Sequence, residues 1–270
     1  MANPLLNDRS LGLGNLDSPR NGGSSTWAPP SVPGSDDPVS TWHGGLMTVQ
    51  GTATATLMLV ALILASATVT WMSIAEPVNG VVTIPTGWVF GGLGVGLVAV
   101  LVATFKRHLA RIAAPVYAIA EGVVLGAISR AYSEMYNGIV TQAVGATLGV
   151  FVVMLLLYRS RVIRVNDRYR RVVMGAMFGL MAFYLVSLLM GLFGAMPSFI
   201  HDASGMGILF SVFVAGLAAA NLAMDFDMIE RAAAAKSPAY MEWYCALGVT
   251  VTLVWLYLEI LRLLSKLRER

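Results

Sequence analysis

The sequence predicts an all-α polytopic membrane protein with seven transmembrane helices. Of its 270 residues, 57% are hydrophobic and only 12% are charged, whereas an average soluble domain has about 25% charged residues. The mean hydropathy is +0.71, and the apolar residues fall into long runs divided by short polar breaks. A water-facing globule is excluded because too few charges remain to cover its surface. A disulfide-stapled module is excluded because Cys245 is the only cysteine.

The apolar runs define the elements, since a helix needs about 20 apolar residues to cross a bilayer. Strands are disfavoured, because the runs are too long and show no sustained period of two. Helices also satisfy their own backbone in lipid. The predicted spans cover roughly residues 48–74, 87–105, 112–132, 138–158, 172–195, 204–224 and 241–265.

Residues 1–46 form a separate region, which we expect to be a disordered cytoplasmic tail. They are rich in Asn, Gly, Ser, Pro and Asp and contain six of the 11 prolines. They lack an apolar core near the start, so they do not resemble a signal peptide. Residues 47–270 are the predicted transmembrane domain.

The charges in the connectors predict the topology. Basic residues crowd into alternate connectors, whereas the intervening ones, 76–86, 133–137 and 196–203, contain no Lys or Arg. This asymmetry predicts a cytoplasmic N-terminus. Seven spans then put the basic C-terminus outside, so either the last span is unusual or it does not cross fully. The basic connectors contain Lys106, Arg107, Arg111, Arg159, Arg161, Arg164, Arg168, Arg170, Arg171, Arg231 and Lys236.

Glycine spacing predicts close contacts between helices. Gly-x-x-x-Gly pairs permit near approach of two backbones, and packing within one chain is favoured over a dimer interface. The pairs are Gly92–Gly96, Gly122–Gly126, Gly145–Gly149 and Gly175–Gly179.

Acidic residues inside the runs are the best functional candidates, because a charge at the bilayer centre costs about 2.5–3.5 kcal/mol. Glu121 and Glu259 lie within runs, and Asp225 and Asp227 close the sixth run. Asp227 and its neighbour Glu230 are expected to be solvated. Glu121 and Glu259 each have two possible interpretations. One is a hydrogen-bonded carboxyl that holds helices together, and the other is a proton or cation site.

Other function classes lack support in the sequence. His43, His108 and His201 lie in the tail and connectors, so they predict no metal-ligand cluster. Ser204 lacks a histidine in a later span that could activate it. We therefore expect neither an enzyme nor a bound cofactor. The basic residues serve as orientation signals rather than as a nucleic-acid surface.

Three motifs resemble the Bax inhibitor/YccA family, also called the transmembrane Bax inhibitor motif family. The third run reads AEGVVLGAIS, the sixth ends AMDFDMIE, and the last contains LYLEILRLL. The resemblance covers about residues 47–267. It implies seven helices with the last one central, in a bacterial inner membrane.

The same resemblance implies a pH-sensitive calcium leak channel whose sensor is a carboxylate pair on the last two helices. Carried over by motif, the pair is Asp225 and Glu259, which would also be calcium ligands. If the connector turns near Lys236–Pro238, however, Asp225 lies level with about residue 249 instead. Glu121 replaces an acidic residue that the second span lacks, and supporting roles fall to Lys106, Arg107 and Arg130.

A close carboxyl pair has a plain physical role. Two carboxyls in a low-dielectric site cannot both ionise cheaply, so the pair holds one proton and a hydrogen bond. Calcium prefers several oxygen ligands, which a fully ionised pair supplies. Alternatives are a non-conducting regulator that binds a membrane protease or another membrane protein, and a proton-coupled transporter. The expected partners are the lipid bilayer and such membrane proteins, with no nucleic acid.

Overall fold

A computed structural model describes residues 45–74, 86–193 and 202–270. Within these residues the chain forms seven α-helices and a single-turn 3₁₀ segment, Arg107–Leu109. All seven helices are long and apolar enough to cross a membrane, which confirms the predicted fold class. The helices are α1 (Val49–Ser73), α2 (Thr86–Phe105), α3 (Ala110–Met135), α4 (Ile139–Arg159), α5 (Asp167–Leu192), α6 (Gly205–Ala234) and α7 (Tyr240–Arg268).

Short polar side chains start three of these helices. Thr48 accepts a hydrogen bond from the Gly51 N–H, Asn166 from Tyr169, and Ser204 from Gly207. Each N-cap thereby satisfies a backbone donor that has no partner inside the helix. The polar breaks of the sequence therefore supply the caps that separate the spans.

The last helix lies at the centre of the bundle together with α3. Helix α7 packs against α1, α3, α4 and α6. Helix α2 packs mainly on α3, and α5 packs mainly on α6, so these two helices are peripheral. The side chains of α7 that are buried in this arrangement include acidic and basic ones as well as apolar ones.

Two of the predicted glycine pairs make close contacts within the chain. A Cβ added at Gly122 or Gly126 would meet the backbone carbonyls of Ile63 and Ala67 on α1. A Cβ added at Gly92 would likewise meet the backbone of α3. The glycine pairs of α4 and α5 face open space, so the packing interpretation is not confirmed for Gly145, Gly149, Gly175 and Gly179.

The sixth helix is longer than predicted. The apolar run ends at residue 224, but α6 continues through Ala234. The connector that follows turns at Lys236, whose φ is +52°. Residues before α1 lie against this connector, because the Met47 N–H donates to the Ser237 carbonyl at 2.8 Å. Residues 1–44, which make up nearly all of the predicted tail, lie outside the described residues.

The last helix, α7, runs without a break from Tyr240 to Arg268. It has 29 residues, about 43 Å of helix, which is enough to cross the bilayer. Its basic residues have partners in the bundle: Arg262 pairs with Glu259, and Arg268 donates to the Asn137 carbonyl. Lys266 is only 2% exposed. The basic residues near the end of α7 are therefore held by contacts within the bundle.

Candidate functional site

Asp225 links the last two helices inside the span. Its Oδ2 accepts a hydrogen bond from the Thr252 hydroxyl at 2.7 Å, and the Asn221 amide lies 3.5 Å away. Thr252 is 12 residues beyond the first residue of α7, which corresponds to about 18 Å along the helix. The sequence predicted that Asp225 lies at the end of the sixth helix, but α6 continues for nine more residues, so the half-buried Asp225 lies within the span.

Thr252 has more hydrogen-bond partners than its single hydroxyl hydrogen can serve. Its oxygen lies 2.7 Å from Asp225 Oδ2 and 3.1 Å from the Gly248 carbonyl, both of which are acceptors. The Asn221 amide donates to the same oxygen at 2.9 Å. A single hydroxyl hydrogen can be donated to only one of these two acceptors at a time. The network therefore has two possible arrangements of its hydrogen atoms.

Glu259 belongs to a second polar cluster farther along α7. It is 1% exposed, and its Oε2 pairs with Arg262 at 2.8 Å. Lys266 lies in the same cluster, where it donates to Ser211 and to the Gly207 carbonyl at 3.1 Å each. Glu259 is therefore a buried carboxylate whose charge is already balanced by neighbouring cations.

The structure does not bring Asp225 and Glu259 together as a pair. Thr252, the α7 partner of Asp225, and Glu259 are seven residues apart, which is about 10 Å along the helix axis. They share one face of α7, because seven residues make nearly two turns. The connector does turn at Lys236, and Asp225 lies near Gly248 as the sequence reasoning anticipated for that turn.

The environment of Asp227 differs from the one that the sequence predicted. The prediction that it is solvated is wrong, because its side chain is buried and pairs with Arg170 and Arg231 at 2.8 Å each. Arg170, which the sequence placed in a basic connector, lies in the first turn of α5, so one of the predicted orientation charges also fixes α5 to α6. Glu230 is exposed and accepts a hydrogen bond from Tyr158.

Glu121 is buried where α3 packs against α2. Its Oε2 lies close enough to Gly96 that an added Cβ would be 3.4 Å away. Within the described residues it makes no hydrogen bond and no ion pair. A buried carboxyl of this kind is expensive in the membrane and is a candidate functional group.

The three basic candidates lie away from Asp225. Lys106 and Arg107 are exposed in the α2–α3 connector, where the Arg107 guanidinium lies 5.4 Å above the ring of Tyr244. Arg130 pairs with Glu134 at 3.0 Å on its own helix. None of these contacts supports Asp225 or Glu259 directly.

Glu242 is a buried acid that the sequence analysis did not single out. It is 0% exposed, and its Oε1 accepts from the Thr48 backbone N–H at 2.8 Å and from the Thr48 hydroxyl at 3.0 Å. The carboxyl group lies directly on Gly51, where no Cβ could fit. It joins the start of α7 to the start of α1, where a helix N-terminus attracts negative charge.

The described residues hold no ready-made metal site, since no three His, Cys, Asp or Glu side chains among them lie close enough to bind one ion. Asp225 and Glu259 therefore do not form an assembled calcium site in this arrangement.

Seven long apolar helices define an integral membrane protein. The family model described as "Bax inhibitor 1 like" matches residues 3–269, so the chain belongs to the Bax inhibitor 1-like family. The match includes the tail, which the motif resemblance placed outside the family region. No curated protein and no solved structure matches the chain.

Proposed function

We propose that this protein is a pH-sensitive calcium leak channel of a bacterial inner membrane, with a cytoplasmic N-terminus. Family membership supports the proposal, because the motif resemblance to that family implies a channel of this kind. The proposal differs from the motif-based expectation in one respect: the proton-sensing group is Asp225 alone and not a pair with Glu259.

The observation that carries the proposal is the environment of Asp225. Its described contacts are with neutral donors only, Thr252 and Asn221. Asp227 and Glu259, by contrast, are each paired with arginine. A carboxylate without a fixed counter-cation inside the membrane is the group that attracts a mobile cation or a proton.

The Thr252 network lets Asp225 exist in both protonation states. When Asp225 is ionised, Thr252 donates to it. When Asp225 is protonated, it donates to the Thr252 oxygen, and the hydroxyl hydrogen turns to the Gly248 carbonyl. Both arrangements keep α6 and α7 in contact, but only the ionised one presents a negative charge to calcium. We therefore expect calcium flux to decrease as the pH is lowered.

An apolar layer separates Asp225 from the Glu259 cluster. Along α6 this layer contains Val214 and Ala218, and along α7 it contains Leu256, all of which are buried. Trp255 packs against the apolar cluster that joins α5 to α6 and that includes Val214. An ion cannot cross such a layer at low cost, so in the proposed channel this arrangement would be non-conducting, and conduction would require α6 to move relative to α7.

Calcium flux into liposomes that contain only the purified full-length protein tests the proposal. We expect a calcium indicator trapped inside to report flux at pH 8 above that of protein-free liposomes. Asp225→Asn should reduce this flux at least fivefold, because the amide keeps the shape of the side chain but lacks its charge.

The matched control is Glu230→Gln, which removes an exposed acid from the same helix and should leave the flux unchanged. Absence of flux from the folded wild-type protein would reject the channel and favour a non-conducting regulator. Equal flux through wild type and Asp225→Asn would reject the role of Asp225.

A further inference from the structure

An apolar groove of about 470 Å³ lies between α1, α3, α4 and α7. Its rims carry Leu64 of α1 and Leu148 of α4, both of which are exposed on the membrane-facing surface. Its floor is formed by α7 at Leu253 and Val254. Its volume falls within the range of about 300–1,000 Å³ that is usual for small-molecule sites.

The polar side chains of the groove wall are already hydrogen-bonded. Ser129 and Tyr257 bond to each other at 2.6 Å. Thr68, Thr147 and Thr250 each donate at 2.7 Å to a carbonyl of the preceding turn of their own helix. The wall therefore offers little to a polar occupant and suits an apolar one.

The groove has the depth of one membrane leaflet. Along α1 it extends from Val60 to Trp71, a distance of 11 residues or about 16 Å. This is roughly half of the 30 Å hydrocarbon core. Trp71 is close to the end of α1 opposite its N-cap, so the groove lies in the leaflet farther from the basic connectors.

Charges of both signs lie next to Trp71, which lines the groove. The Arg130 guanidinium lies 5.5 Å above the Trp71 ring and pairs with Glu134 at 3.0 Å. Tryptophan is typical of the headgroup level, and a guanidinium matches a phosphate. An adjacent Arg and Glu complement a zwitterionic headgroup, whose phosphate is negative and whose ammonium is positive.

From these observations we propose that the groove binds one zwitterionic phospholipid. One acyl chain fills the groove between α1 and α4, and the headgroup lies beside Arg130 and Glu134. The lipid then contacts α7 directly at the level of Tyr257, two residues before Glu259.

Photo-crosslinking in liposomes tests this site. The probe is phosphatidylethanolamine with a diazirine on its acyl chain, and the labelled peptides of the full-length protein are mapped by mass spectrometry. We expect labelling in the groove at least fivefold above that at Val152, a residue of α4 that is 50% exposed and outside the groove lining. Even labelling over all lipid-facing positions would overturn the proposal.

Two variants on α4 distinguish blocking of the groove from other effects that a bulky substitution has on labelling. Val144→Trp places a bulky ring in the groove and should abolish the excess labelling, whereas Val152→Trp should leave it unchanged. If Val144→Trp does not fold, Leu148→Trp at the exposed rim serves the same purpose. Persistence of the excess in the folded blocking variant would reject the site. Equal labelling by an anionic phosphatidylglycerol probe would reject the headgroup assignment.

Discussion

Replacing Gly51 by alanine is expected to destabilise the protein, although alanine favours a helix. In an open position the change would stabilise by about 1 kcal/mol. Here the added Cβ would overlap the carboxyl group of Glu242. That group is completely buried and accepts two hydrogen bonds from Thr48, so it cannot move aside without losing them.

The magnitude follows from those two bonds. Hydrogen bonds to a charged group contribute about 1.5–3 kcal/mol each, so their loss costs about 3–6 kcal/mol before the gain in helix propensity is subtracted. A net loss of about 3 kcal/mol corresponds to a decrease in Tm of about 6–12 °C for a chain of this size. Thermal unfolding of the purified protein in detergent measures this decrease.

A double-mutant cycle identifies the cause. Glu242→Ala removes the obstructing carboxyl group, so adding Gly51→Ala to that variant should change Tm little or raise it slightly. An increase in Tm for Gly51→Ala alone would refute the reasoning. So would an equally large decrease in the Glu242→Ala background, because the penalty would then not come from this contact.

Three further predictions concern packing and topology. Glu259→Gln should lower Tm by several degrees, because breaking a buried ion pair costs about 3–5 kcal/mol; an unchanged Tm would contradict the observed pairing. Gly126→Ala should also lower Tm, whereas Gly179→Ala, which faces open space, should not; equal effects would contradict the packing. In a Cys245→Ala background, a cysteine at Asn166 should react with an impermeant reagent only from the cytoplasmic side; labelling from outside would overturn the topology.

The helices could be predicted from the sequence because membrane spans depend on local composition alone. Each predicted run matches one helix within a few residues, apart from the ends that carry charge. At those ends composition is a poor guide: the segment that includes Asp225 and Asp227 is polar, but Asp225 bonds to Thr252 of α7 and Asp227 pairs with Arg170 of α5. Such pairings depend on distant parts of the chain, so the extension of α6 was not predictable from its own residues.

The site was only partly predictable for the same reason. Glu121 and Glu259 were found because an acid within an apolar run stands out. Glu242 was missed because it follows a polar connector, where an acid usually meets water. One signal was available in the sequence: Thr252, Glu259 and Lys266 recur every seven residues, which places them on one face of a helix.

The pH dependence of calcium flux tests the central claim most directly. Flux into liposomes should be measured between pH 5 and 8 for wild type, Asp225→Asn and Glu259→Gln, each shown to be folded by its thermal transition. We predict that the flux of wild type and of Glu259→Gln decreases on acidification, whereas Asp225→Asn shows a low flux without pH dependence. A pH response that persists in Asp225→Asn and disappears in Glu259→Gln would contradict the account.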